Sequence, residues 1–516
     1  MSDLLVRGCR IVPLGVGDVA PAGGEPVDVL ISSGRVVEIG AGLDRPDGVE
    51  EVLAEGRWLI PGLWDQHVHL GQWTLSRGRV DTLGLRSPED AVALVARLVE
   101  QEPGRPVIGW GHRPGNWASE GSVAALDAVS GVTPVVLIAG DGHHAWLNSA
   151  ALAALGLGAR EEVVRENEWF AAYERLAALT DDGPEDGAGP RAYRESLAEA
   201  AARGVVGLVD FEFTGGAAEW LERWHAGCDL LRIRMATYAE GLESVIASGL
   251  RTGTPLDPAD PDPRLVMGPL KIISDGSLNT RTAWCCEPYA DADPSHPQPA
   301  GAANLAPHEL QALLARAHMS GLHVATHAIG DAAVSAALDA YAATGALGSI
   351  EHAQLISHAD VERMAALGVR ASAQPAHLLD DRDLSEQIWP GRGERCFPFV
   401  WMRDAGVRLV FGSDAPVSPL DPWLAMAAAV HRSADDRDPW HPEHALTPRE
   451  ALAASVDEQP TVRVGSPGDV VLLDRDPLAP AGTSGESAAA LRSMPVALTV
   501  VAGRIVHRAA HPAAGG

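Results

Sequence analysis

Two histidines one residue apart, His67 and His69, close the apolar segment "WLIPGLWDQHVHL". Three other short apolar segments end in similar chemistry: His327 in "HVATHAIGD", His352 in "SIEHAQ" and Asp414 in "VFGSD". Imidazole and carboxylate are the groups that hold Zn²⁺, Fe²⁺ or Mn²⁺ while leaving positions open for water. In an extended chain residues i and i+2 point the same way, so His67 and His69 share a face. One such pair is weak evidence, and a single buried histidine is commonly a hydrogen-bonded core residue. Four histidines and an aspartate, all at the ends of apolar segments, imply a metal site. A further segment, "RLVMGPLKIISDG", carries Lys271. Lys and Arg together number 40, and every one except Lys271 is arginine. A compositional bias toward arginine explains the missing lysines but not the one retained. By residue type alone Lys271 is open to two readings: an amine that attacks a carbonyl, as in a Schiff-base lyase, or a neutral or salt-bridged lysine, paired for example with Asp275.

The elements that must position these groups alternate along the chain. "RAYRESLAEAAARG" reads as a helix stopped at Gly204, and "VVGLVDFEF" follows as a strand. "RIRMATYAE" and "RLVMGPLKIISDG" are the next strands. "PHELQALLARAHMSG" is a helix ending at Gly321, then comes "LHVATHAIG". "GDAAVSAALDAYAATG" leads to "SIEHAQL"; "SHADVERMAALG", with Ser357 as N-cap, leads to "VRASAQP"; "VWMRDAG" leads to "VRLVFGSDAP". With "WLIPGLWDQHVHL" first there are eight strands in a strand–helix alternation. That implies parallel pairing and an α/β fold, a TIM-type (β/α)8 barrel. Chemistry in such a barrel sits at the C-terminal ends of the strands, where the histidines, Lys271 and Asp414 fall. The barrel is expected over about residues 61–460, with an insertion at about 71–190 whose exit loop is "TDDGPEDGAGP". The β-rich ends of the chain, about 1–60 and 461–516, are expected to form one small sheet domain together.

The insertion and the strand ends add further candidates. His143 and His144 in "DGHHAW" face either substrate or the loop's own structure. Trp110, Trp117 and Trp146 line a pocket or pack a core. Asp275, Arg281, Gln374 and His377 lie just beyond strand ends; Arg281 either grips a substrate carbonyl or carboxylate or braces Asp275.

Composition narrows the class. A formal charge of −29 argues against nucleic acid or an anionic membrane as partner. The longest apolar runs, such as Val135–Ala139, fall far short of the ~20 residues of a membrane helix. "MSDLLVRGCRIVPL" has no secretory pattern. Five cysteines without metal-ligand spacing suit free thiols in a reducing cytoplasm.

"PGLWDQHVH", "LKIISDGSLNTRTA", "THAIGD", "EHAQ" and "FGSDAPVSPLDP" resemble the amidohydrolase superfamily. More narrowly they resemble its YtcJ-like branch, which includes N-substituted formamide deformylases. "GDGHHAWLNSAAL" and "GRGERCFPFVWMRDAGV" are similar to further stretches of that branch, so the likeness spans nearly the whole chain. It implies a distorted (β/α)8 barrel with a β-sandwich built from both termini. It also implies His67 and His69 as strand-one ligands and His327 and His352 as strand-five and strand-six ligands. Lys271 matches a lysine that is carboxylated to bridge two metals, and Asp414 the aspartate that binds metal and shuttles the proton. His143 matches the branch's "DGH".

The expected function is metal-dependent hydrolysis of a C–N bond, an amide or N-formyl group, by metal-activated hydroxide, with Asp414 and His143 catalytic. Arg281, Trp146, Gln374 and His377 are the candidate substrate-binding residues. The expected cofactor is one or two divalent metal ions, zinc foremost, with a carbamate on Lys271. The expected partners are a small-molecule substrate and a second copy of the chain. An esterase or lactonase on the same site and a non-catalytic metal-binding protein are the alternatives.

Overall fold

The computed structural model describes residues 3–510 apart from 174, 180–188, 214–215, 261–262, 294 and 435–436. Eight short strands form its centre: β1 (Leu63–Val68), β2 (Val205–Asp210), β3 (Arg232–Thr237), β4 (Leu265–Ile273), β5 (Val324–Ala328), β6 (Gly348–His352), β7 (Arg370–Ala373) and β8 (Leu409–Phe411). They pair in chain order and all in parallel. Every residue of β1, β2, β5 and β6 is buried. Burial on both faces removes the apolar–polar alternation of a half-exposed strand, most plainly in β2, an apolar run up to Asp210.

The sheet nearly closes into a barrel. Val68, the last residue of β1, bridges Ala415, just past the end of β8, in parallel. The Asp414 amide donates to the His67 carbonyl at 2.7 Å, and the His69 amide to the Ala415 carbonyl at 2.9 Å. Gly412 allows this approach, because a Cβ there would lie 2.6 Å from the His67 nitrogen. The outer helices follow the expected punctuation. The Ser357 hydroxyl caps His358–Leu367 by accepting the Asp360 amide at 3.1 Å, and left-handed Gly368 ends that helix.

Both ends of the chain share a second, mostly antiparallel sheet. Leu4–Ile11, Val27–Ser32 and Arg35–Gly40 come from the N-terminal side; Val470–Leu473, Val496–Val501 and Arg504–Arg508 come from the C-terminal side. The two sets join where Val470–Leu473 pairs antiparallel with Trp58–Pro61. This sheet has its own apolar cluster, including Val6, Val29, Leu59 and Val470.

Between β1 and β2 the chain builds a third sheet of five strands, in the order Val164–Arg165, His144–Leu147, Val135–Ala139, Val107–His112 and Val80–Asp81. Helices Pro88–Gln101 and Val123–Ser130 pack with it in an apolar cluster around Val95, Leu126 and Leu137. The expected exit loop "TDDGPEDGAGP" falls, but for its last two residues, outside the described ones. Among the described residues no helix is long and apolar enough to cross a membrane.

Candidate metal centre

His67 is the deepest of the rim histidines, 1% exposed. Its Nδ1 lies 2.8 Å from Glu351 Oε2. With Nδ1 engaged by the carboxylate, Nε2 faces the barrel mouth, 3.3 Å from Lys271 Nζ and 3.3 Å from Asp414 Oδ1. Glu351 also accepts the Ser349 hydroxyl at 2.6 Å, so this buried acid is held from two sides. His69 presents Nε2 to the same Asp414 oxygen at 3.3 Å while its ring stacks on Phe213. Asp65, beneath them, accepts the amides of His67 and Ser413 at 3.1 and 2.9 Å and so ties β1 to the end of β8.

The other half of the centre comes from β6 and the helix after β7. His352 and His377 stack with centroids 5.9 Å apart, and His377 Nε2 is 3.8 Å from Asp414 Oδ2. Candidate donor atoms of His67, His69 and Asp414 lie within 4.8 Å of one another, and so do those of His352, His377 and Asp414. Asp414 is common to both groups. His352 and Asp414 have left-handed backbones, φ 70° and 57°, a conformation that costs a non-glycine residue about 1–2 kcal/mol. Strand alternation would send Glu351 and His352 to opposite faces; the turn at His352 brings both inside.

This donor set fits a divalent metal of the zinc, iron or manganese kind. His69 Nδ1, His352 Nδ1 and His377 Nε2 are buried without hydrogen-bond partners, and buried polar atoms are rarely left so. Burial, reinforced by the Lys271 amine and neighbouring rings, holds His67 and His327 far below the ordinary imidazole range; burial and the adjacent His327 do the same to His352. Neutral imidazole is the form that ligates. Burial alone would raise Asp414, but His69, His377 and Lys271 outweigh it and hold the carboxyl below its usual range. Burial lowers Lys271 to about 8 against the pull of Glu351 and Asp414. Its Nζ sits 4.4 Å from the Phe211 ring centroid.

His327 stands apart from both donor groups. Its ring packs on His352 at 4.5 Å, but Nε2 is turned to the Gly276 carbonyl at 3.3 Å. Asp275 does not pair with Lys271, nor does Arg281 brace it. Its carboxylate accepts the amides of Trp284, Ile329 and Gly330 at 2.9, 3.1 and 2.9 Å.

A cavity opens above the centre, lined by the rim histidines, Lys271 and Asp414, and walled by Phe170 and Phe213 from outside the barrel strands. His143 lines it; His144 does not, and packs instead against His112. Three expected substrate contacts are placed elsewhere. Trp146 is buried in the insertion's core, its indole over Gly121 and its N–H on the Ser122 carbonyl at 2.9 Å. The Arg281 guanidinium is taken by Asp291 at 3.0 Å and the Asn279 carbonyl at 2.8 Å, away from the cavity. Gln374 lies beneath His67, its Nε2 on the Ser372 carbonyl at 3.2 Å. Only His377 of that set reaches the cavity, and there it joins a donor group.

The sequence reading missed Glu351 and Glu166. The signal for Glu351 was present: an acid in "SIEH", a segment read as an interior barrel strand, must have a partner once it is buried. Glu166 bonds His143 Nδ1 at 2.9 Å. Burial would lower His143, but Glu166 first, then Asp141 and Asp414, raise it to about 9.

The chain is similar to known proteins. The chain is 28% identical over 465 residues to "Protein LONG AFTER FAR-RED 3" of Arabidopsis thaliana, covering 83% of this chain and 78% of that protein. It is 26% identical over 498 residues to N-substituted formamide deformylase of Arthrobacter pascens, covering 87% and 90%. Its fold resembles that of an uncharacterized metal-dependent hydrolase from Pyrococcus horikoshii OT3, with a TM-score of 0.73 at 24% identity over 93% of this chain and 99% of that one. The amidohydrolase family model matches residues 50–507, nearly the whole chain and every residue of both donor groups: the protein belongs to the amidohydrolase family and is a hydrolase of that kind.

Proposed function

We propose that this hydrolase cleaves a carbon–nitrogen bond, the amide or N-formyl group of a small molecule, with a divalent metal, zinc foremost, held at the barrel mouth. The observation that carries the reading is the pair of donor groups meeting on Asp414 beneath the cavity. His67, His69, His352, His377 and Asp414 would hold the metal. His327 would join them only by turning from the Gly276 carbonyl. The metal's contribution would be Lewis acidity toward the carbonyl oxygen and a more acidic water.

The chain's own residues supply the rest. Glu351 fixes the ring of His67, so its Nε2 points to the mouth. Asp414 takes a proton from the attacking water as its oxygen bonds to the carbonyl carbon. It returns that proton to the nitrogen as the C–N bond breaks, releasing an acid and an amine. Lys271, buried and with its pKa lowered, has the amine and the reach to add carbon dioxide, losing one proton to give a carbamate toward the same centre, the role we propose for it. Phe170 and Phe213 give the cavity an apolar wall. The likeness to N-substituted formamide deformylase supports the N-formyl choice.

The test combines metal analysis with a panel of N-formyl amines, N-acyl amines and matched esters. We expect bound metal in the wild type, its loss in His67→Ala and His377→Ala, and turnover of amides. Turnover of esters alone would move the reading to an esterase. Metal without any turnover would refute hydrolysis of these bonds.

A further inference from the structure

His143 is held by a chain of side chains that runs from the insertion into the barrel loop after β4. Its Nδ1 meets Glu166 Oε2 at 2.9 Å. Glu166 Oε1 in turn accepts the hydroxyls of Thr280 and Thr282, each at 2.9 Å. The Glu166 amide donates to the His143 carbonyl at 2.8 Å, so the two residues are joined through both backbone and side chain. Ser277, in the same barrel loop, donates its hydroxyl to Asp141 at 3.2 Å, two residues before His143. Gly276 leaves room for this: a Cβ there would overlap the Thr282 hydroxyl.

Glu166 keeps this place at a cost. Its backbone is left-handed, φ 48°, worth about 1 kcal/mol or more for a residue with a side chain. It opens the helix Glu166–Tyr173, and Phe170 of that helix meets the His143 ring edge-on at 5.5 Å. The ring is therefore fixed by a carboxylate on one edge and an aromatic wall beside it. With Nδ1 occupied, the nitrogen His143 has left to offer is Nε2, on a ring that lines the cavity 6.0 Å from the His327 ring. A carboxylate on one imidazole nitrogen fixes both the ring's orientation and the role of the other.

We infer that Glu166 is the positioning residue of His143: it holds Nδ1 so that Nε2 is presented to the amide group of the bound substrate, and Thr280 and Thr282 hold Glu166 in register. What His143 does for the substrate rests on the proposed C–N bond cleavage; how it is held does not.

Two measurements keep these separable. The first is ¹⁵N-histidine NMR of the full chain, with the His143 signals assigned by their loss in His143→Gln. In the wild type, measured above about pH 9 where the imidazolium has lost a proton, we expect one fixed tautomer with the remaining proton on Nδ1. Glu166→Gln should change the His143 nitrogen shifts, and the double variant Thr280→Val/Thr282→Val should move them the same way by less. The double variant leaves Glu166 in place and serves if Glu166→Gln does not fold. The second is turnover of the fastest amide of the panel. Glu166→Gln should lower kcat about 10- to 100-fold, with KM within about threefold and metal content unchanged. Unchanged His143 shifts in both variants would overturn the assignment, whatever the kinetics. Shifts that move with kcat intact would reduce Glu166 to a structural anchor and equally overturn it. A panel without turnover would strike the proposed hydrolysis of these bonds, while the NMR still decides the positioning.

Discussion

Removing the Glu351 carboxylate is the sharpest probe of how the metal centre is built. Glu351 is 1% exposed and touches His67 Nδ1 at 2.8 Å and the Ser349 hydroxyl at 2.6 Å. In Glu351→Ala the first contact, a hydrogen bond to a charged group, is lost at about 1.5–3 kcal/mol, and the Ser349 hydroxyl left unpaired costs about 1–3 kcal/mol more. Part of this is returned, because burial also raises the Glu351 carboxyl and that desolvation disappears with it. A net destabilisation of about 2–4 kcal/mol follows. Glu351→Gln keeps both contacts as neutral ones and should cost about 1 kcal/mol. The effect on metal is separate: a His67 ring free to rotate should weaken metal affinity about 10- to 100-fold in the alanine variant, which is about 1.4–2.8 kcal/mol, and nearer the lower end in the glutamine variant. Titrating metal-stripped protein with Zn²⁺ against a competing chelator measures the affinity, and urea unfolding of the metal-free proteins measures the stability. An alanine variant that binds Zn²⁺ within twofold of wild type would refute the claim that Glu351 orients a ligand.

Three further outcomes are expected. Lys271→Ala should lose activity and part of its metal, and a short carboxylic acid should restore some of both; wild-type activity and metal content in the variant would rule out a carbamate bridge. His143→Ala should cut turnover with metal content nearly intact, checked by kinetics and metal analysis on one preparation. In metal-free protein, Lys271 has its pKa lowered from 10.5 to about 8, so between those values the unfolded chain binds more protons and stability rises with pH. The advantage of Lys271→Met over wild type should therefore be greatest below pH 8 and shrink by roughly 3 kcal/mol toward pH 10.5; a flat difference in unfolding free energy across that range would contradict it.

Regular elements were readable because they obey short periodic rules. The eight strands fall where apolar runs alternate with helical patterns, and Ser357 caps its helix as its residue type implies. The same alternation put His67 and His69 on one face. It misplaced the substrate contacts for equally physical reasons. Trp146 has the size and apolar surface that a core takes first, and Arg281 found a carboxylate ten residues away in Asp291. Sequence spacing sees neither. His377 was taken for a substrate contact because it lies past the end of β7; its place at the start of the helix His377–Ile388 aims it back at Asp414.

What pattern reading could not supply lies where the pattern breaks. His352, Asp414 and Glu166 all have left-handed backbones, at φ 70°, 57° and 48°. Each is a non-glycine residue in a region that regular strands and helices never use. At His352 the break brings a candidate ligand to the same side as Glu351, the acid next to it in sequence. At Asp414 it sets one carboxylate between two histidine pairs. At Glu166 it swings a carboxylate from the insertion against His143. Strain of this kind persists only where surrounding contacts over-determine it, and here they do. The Asp414 amide is bound to the His67 carbonyl, the Ala353 amide following His352 to the Ala328 and Glu351 carbonyls, and the Glu166 amide to the His143 carbonyl. The barrel fixes the strands; these three bound, strained residues set where the candidate site's side chains point.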